Sequence, residues 1–544
     1  MQKALSILIF MAMFVSLLCV GTSVSGAAEG TPINSAQDFA AMDLDGDYYL
    51  NADIIITTTY EKEFKGTFDG NGHTITTAVP LFAEFNGLVR NLTIDGTEIK
   101  GAENLAAFAV HTTDGMIAEN VVNKVDIIVT GLGADKTSGI AAGGILADAE
   151  SYSSSYFRKC VNYGNITVET AEIESSAHYA TFVGGIAGRG GGVEIKYCEN
   201  HGNITGVGNR SHVGGIVGRA AYEAMFVNCD IVDCTNTGLI NSGYDAGGIA
   251  GNIGVSGNNI GVPYTIIYCI NTADITGGYR VGGFVGYCYA SGATTNYYIE
   301  IRHSMSIGNV IAGRTDGISY SSLIIGYSNS INNKIIGCLA VGELLTREGE
   351  GMRELYRCIM GCSSAKTSEM ELHDNYICDN NTTEWYTYAS ASENEPQRIK
   401  IEEAIGWGRV TRCTLEELSS GAILSKLNAA ADTPVFKQTV GTDPYPTIDL
   451  ALREQRLNAE SPLEKETEEE TTTSKPKETE PSNNDETTTA PGGDETTTAP
   501  KSEDTTTTTA TGDEVGKKNC KSAVIGGVAI FAILGCAVVL GKKR

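Results

Sequence analysis

Positive charge is scarce in this 544-residue chain: Lys and Arg number 39 against 66 Asp and Glu, a formal net charge of −27. A balance this acidic argues against nucleic acid as a partner, because binding a phosphate backbone needs a basic surface. Histidine is scarcer still. The seven histidines (73, 111, 178, 201, 212, 303 and 373) are scattered, and no His-Glu-x-x-His pair could hold zinc from one helix face. The strand-forming stretches lack a paired or repeated acidic motif of the sort that supplies acid and nucleophile in glycoside hydrolysis. Gly188-Arg-Gly-Gly-Gly192 lacks the Gly-Lys-Ser/Thr ending of a phosphate loop and reads as a turn. Asp43-Leu-Asp-Gly-Asp47 has its glycine fourth rather than sixth, so it reads as a turn before Tyr48-Tyr-Leu rather than a calcium loop. Cys358-x3-Cys362, with Cys378, Cys413 and His373 further on, has spacing too loose for a zinc set. The expectation is a protein with no catalytic residues, no metal and no cofactor.

The two ends are built differently from the middle. Met1, Gln2 and Lys3 precede an apolar run, Ala4 to Val20, and small residues follow at Gly21, Ser25, Gly26, Ala27 and Ala28. That order reads as a secretory signal peptide over 1–27. Cys19 does not make it a lipoprotein signal, because Leu18 stands where a small residue is required. Near the other end, Ser522 to Gly541 holds twenty residues without a charge, enough to span a bilayer as a helix. The basic residues 542–544 would then lie in the cytoplasm, with the body outside. Residues 451–521 read as a disordered tether. Within them, Ala459 to Glu514 carries 16 acidic residues against 4 lysines and two tandem Asp-Glu-Thr-Thr-Thr-Ala-Pro copies. Such a stretch cannot bury enough apolar surface to offset its chain entropy. The Thr511-Gly512 step before the apolar span is a candidate sorting site, although the Leu and Pro of a sortase signal are missing.

The middle is a repeat. One block reads Gly-Gly-aliphatic-x-Gly, beginning at Gly184, Gly214, Gly247 and Gly282, with an imperfect copy at Gly143. A second block follows each and aligns on Cys160, Cys198, Cys234, Cys269, Ser304 and Cys338, at spacings of 38, 36, 35, 35 and 34. Two residues on stand Asn162, Asn200, Asn236 and Asn271; six on stand Ile166, Ile204, Ile240 and Ile275, then Val310 and Leu344. An earlier, weaker copy begins at Val121. Short β-branched runs broken by Gly or Asn, without a helical period, predict about three strands per repeat, one coil of a solenoid. The Cys and Ile positions are expected to point inward and stack on their counterparts. The Gly and Asn positions are expected to supply left-handed or tight-turn conformations between strands. Cysteines recurring at one inward offset predict a ladder of buried thiols rather than disulfides. The whole reads as all-β: an N-terminal cap and first coils over 28–100, repeats over 101–345, and last coils with a helical cap over 346–450. Ser35-Ala-Gln-Asp38 predicts a capped helix through Ala41. Thr414-Leu-Glu-Glu predicts one running to about Ala431, placed to cover the open edge of the last coil.

The Gly-Gly-Ile-Val-Gly blocks resemble the GLUG motif of bacterial cell-surface proteins, which also occurs in regions of IgA-protease-type proteins. The likeness covers about Thr31 to Leu450. It implies a right-handed parallel β-helix in a cell-surface setting and no particular activity. The Asn519-Cys520-Lys-Ser tail resembles membrane anchors of Gram-positive bacteria. The expected function is a non-enzymatic surface display or adhesion protein whose inter-block loops meet a glycan or matrix protein. A carbohydrate-active enzyme on the same scaffold and a structural spacer are the alternatives. Tyrosines 152, 156, 244, 264, 287, 289, 297 and 298 are candidate sugar-stacking residues.

Overall fold

The computed structural model describes residues 30–460 apart from 131–138, 151–152, 170–179, 209, 221–228, 257–263, 292–298, 314–317, 329–332, 347–353, 363–370, 379–385, 390–396 and 401–409. The signal segment 1–27, nearly all of the tether, Thr511, the apolar span 522–541 and the tail 542–544 lie outside the described residues. Among those that are described, no helix is long and apolar enough to cross a membrane.

Every repeat contributes to three parallel sheets. Strands on either side of each Gly-Gly block, such as Thr181–Gly184 and Ala187–Arg189, stack into a 16-stranded glycine sheet. Strands on either side of each Cys position, such as Gly192–Lys196 and Glu199–Asn200, form a 22-stranded cysteine sheet. The stretch at the Ile position, such as Ile204–Val207, forms an eight-stranded isoleucine sheet. The chain visits the three in turn, so neighbouring coils lie one strand spacing apart, about 4.8 Å. The register follows the sequence alignment: Ile127, Ile166, Ile204, Ile240, Ile275, Val310 and Leu344 stand beside one another in order. This column and the cysteines fill one continuous core. Cys160, Cys198, Cys234, Cys269 and Cys338 are all buried and free. The thiols of Cys160, Cys234, Cys269 and Cys338 donate to carbonyls of the preceding coil at 3.3–3.5 Å.

The asparagines do something other than turn the chain. Asn123, Asn162, Asn200, Asn236 and Asn271 are fully buried. Each of the first four donates from Nδ2 to Oδ1 of the next, at 2.8, 2.8, 2.7 and 2.8 Å. Each of the five also donates to a carbonyl two residues on, at 2.9–3.0 Å. A buried amide needs its hydrogen bonds satisfied, and stacking like on like satisfies them coil after coil. The left-handed corner lies instead three residues earlier, at Asn120, Lys159, Tyr197, Asp233, Tyr268 and His303 (φ from 46 to 57°). The glycines two residues after Asn162, Asn200 and Asn236 serve close approach rather than turn geometry: a Cβ on Gly202 would stand 1.9 Å from the Gly164 carbonyl oxygen. The two blocks also meet. A Cβ on Gly185 would lie 2.3 Å from the Gly215 oxygen and 2.5 Å from the Asn200 amide. Gly-Gly is therefore the space the asparagine ladder occupies.

At the N-terminal end, helix α1 (Ala36–Ala40) is capped by the Ser35 hydroxyl and buries Phe39 among Tyr60, Phe68 and Phe82. Coil formation starts at once, since Thr31–Ile33 pairs with Asp47–Leu50 in the cysteine sheet. At the other end the expected helix is two: α2 (Leu415–Ser419), opened by a Thr414/Glu417 capping box, and α3 (Leu424–Ala429). Gly421, at φ 79°, separates them. Nor does this segment sit across the edge of the last coil. Leu418, Ile423, Leu427 and Phe436 pack on outward side chains of the cysteine sheet, including Ile270, Met305 and Leu339. The outward position after Cys198, Cys234, Cys269, Ser304 and Cys338 reads Glu199, Thr235, Ile270, Met305 and Leu339, and the apolar part of that run is the covered part.

A last helix, α4 (Leu450–Ala459), extends the folded body into the stretch expected to be tether. Leu457 is buried, Arg453 reaches Glu199 at 2.7 Å, and Arg456 makes a two-point contact with Asp233 and lies 4.3 Å over the Tyr268 ring. Tyr197 donates to Glu460 at 2.9 Å, and Arg158 donates to the Leu457 and Glu460 carbonyls at 3.0 and 3.2 Å. The acidic composition that marks a tether begins only beyond these contacts.

Candidate functional site

Each Gly-Gly block joins two arms of the glycine sheet at a sharp corner. A Cβ on Gly218 would fall 2.3 Å from the Val183 nitrogen, so the arms approach closely and their outer faces are turned toward one another. Two columns line the resulting cleft. Two residues before the first glycine of each block stand Ala141, Phe182, His212, Asp245 and Arg280, continued by Tyr320. Five residues after it stand Asp148, Arg189, Arg219, Asn252 and Tyr287, continued by Tyr327.

Contacts run across the cleft. Arg189 and Arg219 each lie 5.4 Å from the Phe182 ring centroid, and Arg280 lies 3.3 Å over Tyr287. Tyr320 and Tyr327 stack with centroids 4.8 Å apart. Arg280 grips Asp245 through two hydrogen bonds of 2.6 Å, and Arg189 grips Asp148 in the same two-point way. Bidentate pairing fixes the guanidinium planes and neutralises both carboxylates, which are buried. His212 Nδ1 stands 2.8 Å from Asp245, an ion-pair contact without hydrogen-bond alignment. Burial pushes this imidazole toward its neutral form, and Arg219 and Arg280 oppose the pull of Asp245. Burial also raises the Tyr287 hydroxyl, which stays protonated and can donate. The cleft thus carries flat donors and aromatic faces in the coils of Phe182, His212, Arg280 and Tyr320, with Asp245 and Asn252 between them.

Towards the N-terminal coils the second column continues through His111 and Glu84 to Glu63. Glu63 and Glu84 sit on adjacent coils, and Asn86 Nδ2 donates to both, at 2.7 and 3.3 Å. Lys65 pairs with Glu63 at 2.9 Å and, with Asn86, holds its carboxyl below the usual carboxylate range.

Of the candidate tyrosines, Tyr244, Tyr287 and Tyr289 are at this cleft. Tyr264 is buried on the cysteine sheet, and Tyr156 is exposed there. Tyr152, Tyr297 and Tyr298 lie outside the described residues. Of the loose zinc set, Cys378 and Cys413 are buried in contact with one another and His373 lies between Glu371 and Asp374, while the side chains of Cys358 and Cys362 are outside the described residues. Sequence reasoning missed both cleft columns, although their fixed offsets from the Gly-Gly block were a usable signal.

No protein-family model matches the chain, and no curated protein sequence does either. Among solved structures, similarity is found to one described as a "putative immunoglobulin A1 protease" from Bacteroides ovatus. It is 16% identical, covers 78% of this chain and 93% of that one, and has a TM-score of 0.26. A likeness at that score bears on neither the fold nor the function of this chain.

Proposed function

We propose that this chain is a non-enzymatic binding protein of the cell surface, with the outer cleft of the glycine sheet as its binding face and an extended glycan as its ligand. The observation that carries this reading is the coil-by-coil row of arginine and tyrosine side chains along the cleft. Planar donors beside aromatic faces suit sugars, whose rings offer C–H faces for stacking and hydroxyls for hydrogen bonding. The acidic stretch beyond Glu460 would act as the tether and 522–541 as the membrane span, holding the solenoid outside the cell. Binding on strands rather than loops gives a rigid site, which favours recognition of a repeating, extended partner.

A second reading, a glycoside hydrolase at the acidic end, is favoured by Glu63 and Glu84. The two pair across adjacent coils and both accept from Asn86, which holds their carboxyls near one another as a glycosidase pair requires. Against it, Lys65 lowers the Glu63 carboxyl, the wrong direction for a general acid. The test is a glycan and matrix-protein array with fragment 28–460, run beside a polysaccharide activity screen. Retention without turnover, lost in Tyr287→Ala, is the expected result. Turnover abolished by Glu84→Gln would overturn it in favour of the enzyme.

A further inference from the structure

The geometry points to a neutral glycan, recognised by a hydroxyl that donates to Asn252, as the ligand of the stretch of cleft between Arg219 and Tyr327. This rests on the binding reading above and adds the charge class and the anchoring contact.

Asn252 is 3% exposed, and its Oδ1 accepts no hydrogen bond. It stands in the second column between Arg219 and Tyr287, directly along the cleft wall. Just beyond it the chain has Gly254, where a Cβ would come within 3.1 Å of that same oxygen. A buried acceptor without a donor is costly, and native structures rarely keep one unless something supplies the proton. An amide oxygen can only accept. Its partner must therefore carry O–H or N–H, which a sugar hydroxyl supplies; an ionised group cannot serve at this atom, and the charge class of the glycan is decided by the side chains around it.

The neighbouring charges agree. Arg280 is bound at both nitrogens by Asp245, which is fully buried, and His212 beside it is held toward its neutral form. An anion entering here would find a cation already paired and would meet the Asp245 carboxylate at close range, a repulsion that the low polarity of the cleft strengthens. The Tyr287 ring, one face of which Arg280 covers, and the Tyr327 ring lie 5.9 Å apart on successive coils and place aromatic surface along the wall that carries Asn252. Successive sugar rings could then occupy successive coils.

Two measurements on fragment 28–460 test this. The first is isothermal titration with neutral β-glucan and mannan oligosaccharides against oligogalacturonate and heparin fragments as charged comparators. The second repeats the titration with Asn252→Leu, which matches the shape but cannot accept a hydrogen bond, and with Tyr327→Ala. Neutral oligosaccharides are expected to bind with little dependence on salt. Asn252→Leu should weaken them roughly tenfold, the worth of one hydrogen bond to a buried group, while leaving the melting temperature unchanged or higher. Binding confined to the charged glycans, or neutral binding untouched by Asn252→Leu, overturns the assignment but leaves a binding protein. Turnover, or no retention of any glycan or matrix protein, removes the binding reading itself.

Discussion

Replacing Asn200 by Ala cuts the asparagine ladder at its middle, and the damage can be worked out bond by bond. Asn200 accepts from Asn162 at 2.8 Å, donates to Asn236 at 2.7 Å and donates to the Gly202 carbonyl at 2.9 Å. Asn162 Nδ2 keeps its bond to Gly164, so that side loses only one modest net contribution. Asn236 Oδ1 loses its ladder donor in a fully buried site, and the Gly202 oxygen loses the amide. An orphaned buried acceptor costs about 1–3 kcal/mol and an ordinary bond about 1 kcal/mol, so the total comes to roughly 3–4 kcal/mol. In a solenoid each coil touches only its neighbours, and the loss should fall on the two interfaces beside this coil rather than on the whole body. Hydrogen exchange of fragment 28–460 reads this directly: amides in the coils of Asn162, Asn200 and Asn236 should exchange on the order of 10²-fold faster. The aromatic N-terminal coils should not change. Asn200→Ser should cost about half as much, because Ser306 fills the same slot at the ladder's end and lies 3.5 Å from Asn271 Nδ2. A loss below about 1 kcal/mol, or one spread evenly over all coils, would refute the ladder as a local clamp.

Gly185→Ala should prevent a stable body from forming or lower its urea midpoint sharply, since the new Cβ meets backbone at 2.3 Å; the same change at Gly72, where nothing lies within 4 Å, should cost far less on that scale. Arg456→Ala leaves the buried Asp233 carboxylate without its partner, which should cost about 3–5 kcal/mol locally and release α4, seen as fast exchange over 450–460 with the coils protected. Acid should loosen the same contact. Burial alone would raise Glu199, but His201 and Arg453 hold it down to about 2. A depressed carboxyl contributes stability above its unfolded pKa and loses it as pH falls, so the part of α4 protection that rests on Glu199 should be full at pH 6 and decline from about 4.5 towards 2. The five ladder thiols should ignore Ellman's reagent in the native fragment and react fully in guanidinium, because all five are buried out of the reagent's reach; fast native labelling would show that the core is open.

The solenoid was legible in the sequence because its packing is periodic. Cys160 and Ile166 recur at fixed offsets, and stacked coils require like residues at like positions, so alignment alone identifies the inward columns. The asparagines misled because their usual role in turns is local, whereas here each is satisfied by an asparagine about 36 residues away. The left-handed corner escaped notice for the opposite reason: Asn120, Lys159, Tyr197, Asp233 and His303 share a backbone conformation but differ in side-chain type. The cleft columns were hidden by chemical variety at a constant offset, since Phe182, His212, Asp245 and Arg280 look unrelated until the Gly-Gly corner brings the arms together. Helix α4 was lost to composition. A charged helix beside an acidic run reads as solvent-exposed until its arginines find Glu199 and Asp233.

That helix also decides how the body bears load. The last described coil strand is Val410–Arg412, yet the last described residue, Glu460, lies beside Arg158, several coils back toward the N-terminus. Tension on the chain beyond Glu460 therefore does not peel the final coil from the stack. It first meets α4, whose contacts at Arg158, Glu199 and Asp233 span successive coils and are loaded together, as rivets in a lap joint are. The terminal coil, which is the weakest place in any stacked structure, is left off the line of force.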